Sequence, residues 1–167
     1  MHIVTIVGNR YSGKSALCEQ WTGGKFTQSY ITTLQLTRYH LPLMILQDTP
    51  SIERLNVDDC YVYSDLMILM VNKDNVPDNW YINISSSFPT VPWVLILNGA
   101  GHFKRRRRWA LERDIRVFQL DLSTDFNVSE TLVTLREYLD ELPTHSDGLD
   151  LSNITDYMYQ FIPTTCL

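Results

Sequence analysis

Two short, uninterrupted apolar runs restrict the fold of this chain more than any other feature. They are "LMILMV" at residues 66–71 and "WVLIL" at residues 93–97. A strand that is apolar at every position has both faces buried, as in a mostly parallel sheet that helices cover on each side. The two runs therefore predict central strands of such a sheet.

Shorter patterns fill in the rest of the domain. Strands are predicted at residues 3–7 and 117–122, and residues 34–40 and 43–47 predict a hairpin around Pro42. Helical patterns occupy residues 14–23, 75–84, 102–113 and 129–142. Strands that alternate with helices predict an α/β fold with a six-stranded, mostly parallel sheet and helices on both faces. Residues 1–142 form the predicted domain, and residues 143–167 a linker and short amphipathic tail that docks on the domain or on a partner.

Composition excludes several classes of protein. Hydrophobic residues make up 44% and charged residues 20% of the 167 positions, which is typical of a globular domain. The net charge of −5 argues against a protein whose whole surface is basic and binds nucleic acid. The three cysteines lack C-x-x-C spacing, so neither a disulfide framework nor a zinc site is expected. With no transmembrane segment and no lipid-anchor motif in the sequence, we expect a cytoplasmic protein.

The stretch "GNRYSGKS", from Gly8 to Ser15, fits the pattern G-x-x-x-x-G-K-[ST] between a predicted strand and a predicted helix. Such a loop points successive backbone N–H groups at phosphate oxygens, aided by the positive end of the helix dipole. The predicted phosphate-binding residues are Gly8, Arg10, Tyr11, Ser12, Gly13, Lys14, Ser15 and Ala16. Lys14 would reach the β- and γ-phosphates, and Ser15 would offer its hydroxyl to Mg²⁺. The alternative is a structural turn of the same shape that holds no ligand.

Four further stretches carry a resemblance to a known family: "GGKFTQSYITT", "QDTPSIERL", "YVYSDLMILMV" and "NVSETLVTLREYL". Together with the loop they resemble the Ras superfamily of small GTPases, and its Rab-like members most, over residues 3–142. The resemblance implies a P-loop NTPase fold that binds GTP or GDP with Mg²⁺. It also implies a switch that recruits protein effectors or regulators in signalling or vesicle trafficking.

The matched positions imply roles in metal binding and switching. Asp48 would hold Mg²⁺ through water opposite Ser15, or alternatively would cap the turn that follows it. Thr33 would contact Mg²⁺ in the triphosphate state, and Thr33 and Ser51 lie in the two implied switch segments.

Departures from the family pattern predict impaired hydrolysis. The glutamine that orients the attacking water is replaced by Ile52, which can neither donate nor accept a hydrogen bond. Ser51 stands in place of the switch glycine, and Arg10 adds bulk to the phosphate loop. No catalytic residue is assigned, and hydrolysis is expected to be very slow or absent.

The guanine-reading motif is also broken. Where the family has asparagine-lysine-x-aspartate, this chain has Asn98-Gly99-Ala100-Gly101, so the carboxylate that pairs with guanine is missing. Asn98 and the backbone N–H of Leu122 remain as predicted base contacts. Asp121 either replaces the lost carboxylate or simply ends a strand. Guanine preference is therefore expected to be weakened, and two alternatives stay open: a nucleotide-free pseudo-GTPase that acts as an interaction module, and an NTPase of relaxed base specificity.

Two charged stretches remain. Asn72-Lys73-Asp74 contains asparagine, lysine and aspartate but follows the fourth strand, so a strand-end loop is predicted there. The basic cluster consists of Lys104, Arg105, Arg106, Arg107 and Arg108. It either binds an acidic partner or anionic lipid, or forms a solvated helix face.

Overall fold

The computed structural model describes residues 1–25, 35–50, 61, 63–74 and 79–142. In this part of the chain six strands form one sheet in the order β2-β3-β1-β4-β5-β6. The strands are β1 (His2–Val7), β2 (Thr37–Leu41), β3 (Met44–Asp48), β4 (Leu66–Val71), β5 (Trp93–Asn98) and β6 (Arg116–Leu120). Only β2 runs antiparallel to its neighbour, β3, and the other pairs are parallel. The predicted six-stranded, mostly parallel sheet is confirmed, including the hairpin around Pro42.

Four helices accompany the sheet within the described ranges. They are α1 (Lys14–Trp21), α2 (Asn79–Ser87), α3 (Lys104–Leu111) and α4 (Val128–Glu141). α3 begins two residues later than predicted, because Phe103 adopts a left-handed conformation with φ of +44° and ends the preceding loop. None of these helices is both long and apolar enough to cross a bilayer. The predicted linker and tail, residues 143–167, lie outside the described residues.

The period-2 alternation of the strands divides the core into two clusters. In β4, the side chains of Leu66, Ile68 and Met70 lie in the cluster that contains the apolar residues of α1 and α4. The intervening Met67, Leu69 and Val71 lie in the cluster that contains those of α2 and α3. Since all six residues are buried, helices cover this strand on both faces, as the continuous apolar run predicts.

One edge of the sheet collects the residues of functional interest. β1, β3, β4, β5 and β6 are mutually parallel, so their carboxyl ends all meet at this edge. The loops that leave these ends include residues 8–13, 72–74, 99–103 and 121–127. In open α/β sheets such an edge is where ligands bind.

Candidate functional site

The two glycines of the loop after β1 occupy positions that no other residue fits. Gly8 has a φ of +149°, and a Cβ there would lie 2.3 Å from the carbonyl oxygen of Met70. Gly13 has a φ of +100°, and its Cβ would lie 2.6 Å from Nδ2 of Asn98. The close packing of this loop against the ends of β4 and β5 therefore requires glycine at both positions.

Side chains from three neighbouring segments hold this loop. Trp80 Nε1 donates to Oδ1 of Asn9 at 3.1 Å. Asn72 Nδ2 donates to the carbonyl oxygen of Tyr11 at 2.7 Å, and Asn98 Nδ2 donates to that of Ser12 at 3.0 Å. A backbone bond from the N–H of Ser12 to Asn9 O, at 3.2 Å, closes the turn itself. The loop is thus preorganised by contacts within the protein, and the sequence motif gave no sign of the Trp80 and Asn72 contacts.

Lys14 begins α1 and turns its ammonium group back into the loop. Nζ donates to the carbonyl oxygens of Gly8, at 2.9 Å, and Asn9, at 3.1 Å. The residue is only 7% exposed, and burial lowers the pKa of its ammonium, while the nearby Asp48 carboxylate works to raise it. Two neutral carbonyls are weak partners for a buried cation, so an anion in the loop would stabilise this group.

Ser15 and Asp48 meet where β3 ends. The Ser15 hydroxyl donates to Oδ2 of Asp48 at 2.5 Å, and Asp48 is 1% exposed. The carboxylate thus faces α1, as the predicted metal-binding role requires. Hydroxyl and carboxylate oxygens are ligands that Mg²⁺ accepts, so these two residues fit that ion. Thr33, the third predicted ligand, lies outside the described residues. Within the described residues, no group of three or more His, Cys, Asp or Glu side chains is placed to hold a metal ion.

The remaining residues of the loop differ in accessibility. Ser12 is 1% exposed, and its hydroxyl oxygen is buried without a hydrogen-bond partner among the described residues. A buried polar atom in this state fits a site that takes a polar ligand. Arg10 and Tyr11 are exposed at the rim, with the Arg10 guanidinium 5.7 Å from the centre of the Tyr11 ring. Ala16 is half-buried in the first turn of α1.

The two predicted base contacts lie together at the other end of the edge. Oδ1 of Asn98 accepts from the backbone N–H of Leu122 at 3.2 Å, while Nδ2 of the same side chain donates to Ser12 O. Asn98 therefore ties the loop after β6 to the loop after β1. The Leu122 N–H that was predicted to meet a base oxygen donates instead to this side chain.

Gln119 in β6 is a residue that no motif identified. Its Nε2 donates to the carbonyl oxygens of Gly99, at 2.8 Å, and Gly101, at 2.9 Å. Those carbonyls belong to the loop after β5, where the resemblance predicts the base-contacting segment, and Gln119 holds that loop to β6. Nearby, Asp121 accepts from the N–H and the hydroxyl of Ser123, at 3.0 and 2.6 Å, as a residue that caps a turn at a strand end does.

Asn72-Lys73-Asp74 forms the predicted loop at the end of β4. Its Asp74 carboxylate accepts from the backbone N–H groups of Arg105, at 3.2 Å, and Arg106, at 2.9 Å, at the start of α3. Burial works to raise the pKa of Asp74, but these N–H groups and the charges of Arg105 and Arg106 outweigh it, and the pKa is lowered. Asp74 thus caps α3 from a distant loop.

Three residues of the predicted site lie outside the described residues: Thr33, Ser51 and Ile52. Their assignments to the switches, to the metal and to the lost catalytic glutamine stay predictions. Neither a family model nor a curated protein matches this chain.

Proposed function

We propose that this protein is a small-GTPase-like switch or scaffold that binds a nucleotide through the loop from Gly8 to Ser15. One observation carries the proposal: a buried ammonium, a hydroxyl and a carboxylate, from Lys14, Ser15 and Asp48, converge beside a glycine-bounded loop. A cation and a hydroxyl at the start of one helix, with a carboxylate at the end of a neighbouring strand, are the parts that bind the phosphates and metal of a nucleoside triphosphate.

Each group has a distinct part in this proposal. Lys14 exchanges its bonds to the Gly8 and Asn9 carbonyls for stronger, charge-assisted bonds to phosphate oxygens. Ser15 and Asp48 would hold Mg²⁺, which when bound neutralises part of the phosphate charge. The N-terminus of α1 adds its dipole, and the side chains that already hold the loop reduce the cost of ordering it.

Hydrolysis is not part of the proposed activity. Ile52 stands where the water-orienting glutamine is expected, and Arg10 adds bulk at the rim of the loop. A protein that binds nucleotide without turning it over would keep one state and act by engaging effectors or regulators. We place that action in signalling or vesicle trafficking, within the cytoplasm.

Weak guanine preference belongs to the same proposal. Gly101 offers no carboxylate to pair with guanine, and Gln119 already engages the carbonyl oxygens of Gly99 and Gly101. Loss of paired hydrogen bonds to a ligand typically costs a few kcal/mol, which corresponds to about 100-fold in affinity.

A second candidate is a nucleotide-free pseudo-GTPase that serves as an interaction module. The observation that favours it is that carbonyl oxygens of the loop already have donors within the protein, from Asn72, Asn98 and Lys14. A loop held in this way needs no ligand to keep its shape.

Nucleotide that co-purifies with the protein tests these candidates directly. The purified chain would be heated, and the released material separated by chromatography. Guanine nucleotide would support the proposed switch, adenine or mixed nucleotide would support an NTPase of relaxed base specificity, and an empty protein would support the interaction module. The variant Lys14→Ala, purified in parallel, should release nothing, whereas Lys25→Ala, at an exposed lysine outside the loop, should match the parent protein.

A further inference from the structure

The five cations at the start of α3 do not share one environment. Arg106 is 1% exposed and its Nε donates to Lys73 O at 3.4 Å, so this residue is part of the packing. The other four are exposed, and we name them the α3 basic face: Lys104, Arg105, Arg107 and Arg108.

The charge of the α3 basic face is poorly balanced within the protein. Arg108 pairs with Glu112 at 3.1 Å while its side chain stays 83% exposed, and Arg107 donates to the neutral Gln119. Among the described residues, no carboxylate forms an ion pair with the side chain of Lys104 or Arg105. The Asp74 carboxylate caps the N-terminus of α3 and interacts with the charge of Arg105. One carboxylate there does not balance four exposed cations that repel one another, so an anionic partner would relieve a local cost.

The shape and composition of the surface favour a membrane as that partner. Lys104, Arg107, Arg108 and Leu111 have i, i+3, i+4 and i+7 spacing and share one side of the helix. Leu111 is 81% exposed, so a large apolar side chain continues the line of cations. A helix face that presents cations together with an exposed leucine is suited to the headgroup region of an anionic bilayer.

The charge of the rest of the molecule restricts how the protein can approach an anionic membrane. The sequence has 14 basic and 19 acidic residues, so without the four cations the remainder carries 10 − 19 = −9. That remainder is repelled by anionic lipid and by nucleic acid, and only a small patch is left to attract either. A nucleic acid binds along an extended basic surface of a protein, whereas a planar bilayer can bind a single basic face.

We infer that the α3 basic face binds an anionic phospholipid surface and orients the protein on it. This binding goes beyond the proposed function and does not depend on nucleotide. Each lysine or arginine near an anionic membrane surface contributes about five-fold to partitioning, from about 1 kcal/mol per charge.

Co-sedimentation of the full chain with vesicles tests the inference. The vesicles are phosphatidylcholine alone, or phosphatidylcholine with phosphatidylserine. The parent protein should bind only the anionic vesicles, and less as salt is raised. Glutamine at all four positions (Lys104→Gln, Arg105→Gln, Arg107→Gln and Arg108→Gln) should abolish binding, with folding checked by circular dichroism.

Single variants keep the test independent of any folding defect. Lys104→Gln should lower partitioning about five-fold, whereas the matched Lys25→Gln, at an exposed lysine outside the patch, should leave it unchanged. Leu111→Ser should weaken binding without changing its salt dependence. Equal binding to neutral vesicles, undiminished binding by the quadruple variant, or binding to RNA in place of vesicles would overturn the inference.

Discussion

The two ends of the edge where the parallel strands terminate differ in what their residues do. At the end formed by β1 and β3, Lys14, Ser15 and Asp48 bring charge and hydroxyl groups to a loop bounded by glycines. At the end formed by β5 and β6, the polar groups of Asn98 and Gln119 are engaged in holding backbone. Under the proposed function the first end would bind phosphate, whereas the second would lack the charged groups that a base site needs.

A polar residue in such a loop can serve the stability of the fold or the binding of a ligand, and Asn98 and Lys14 differ in this respect. Asn98 lies where a base contact is predicted, yet it bonds Ser12 O and the Leu122 N–H and so joins the two ends. Its place in the fold is explained by structure alone. Lys14 is harder to explain in this way, because burying a cation against two neutral carbonyls costs stability unless a ligand uses it.

The largest effect is expected from Gly8→Ala. Its Cβ would lie 2.3 Å from Met70 O, so the loop after β1 would have to shift, and the free energy of unfolding should fall by about 3 kcal/mol. Gly23→Ala is the matched control: Gly23 has a φ of +90° but no atom within 4 Å of the added Cβ, so backbone strain alone should cost about 1 kcal/mol. Urea denaturation measures both, and equal costs would contradict the packing role of Gly8.

Asn98→Ala should come next, because it breaks the connection between the two ends. Two hydrogen bonds are lost and a loop carbonyl is left without its donor, so we expect a loss of about 2 kcal/mol. Asn72→Ala removes one exposed bond to Tyr11 O and should cost about 0.5 kcal/mol. Urea denaturation measures both losses, and equal losses of unfolding free energy in the two variants would show that Asn98 does not join the two ends.

Gln119→Leu should have a smaller effect on stability, about 1 kcal/mol, since its amide holds one short segment and accepts one exposed hydrogen bond from Arg107. The same change frees the carbonyls of Gly99 and Gly101, so the preference between GTP and ATP should change while phosphate affinity does not. Competition binding checks the base preference, and Gln35→Leu, at an exposed residue outside the edge, is the control. A variant that loses affinity for every nucleotide alike would contradict the division into two ends.

The smallest expected effect concerns the pH dependence of stability. Burial lowers the pKa of Lys14 below its ordinary value of 10.5, so between these two values the unfolded chain binds more protons than the folded one. The stability of the parent protein should therefore rise, relative to Lys14→Met, as the pH is raised through the alkaline range toward 10.5. Urea denaturation of both proteins at several pH values measures this, and parallel profiles would argue against a buried, charged Lys14.

Local patterns predicted the strands and the position of the glycine-bounded loop after β1, while phosphate binding by that loop stays a prediction. The runs at β4 and β5 are apolar at every position, and the glycine-bounded motif follows directly from spacing along the chain. Both depend on neighbours in sequence, so periodicity and spacing are sufficient to find them.

The contacts that complete the site could not be predicted in the same way. Trp80 bonds a residue 71 positions away, and Asn72 one that is 61 away. Asp74 was correctly predicted to lie in a loop, but its capping of α3 depends on how β4 and β5 pair. Such contacts arise from tertiary packing, which leaves no local signature in a single sequence.

Titration of a fluorescent GTP analogue with Mg²⁺ tests the central claim most directly. The parent protein would be compared with Lys14→Ala and with the control Lys25→Ala, with unlabelled GTP and ATP as competitors. The account predicts saturable binding that Lys14→Ala weakens by about 100-fold and Lys25→Ala leaves unchanged, because only the first loses a charge-assisted bond to phosphate. No binding by the parent protein at concentrations on the order of millimolar would contradict the account.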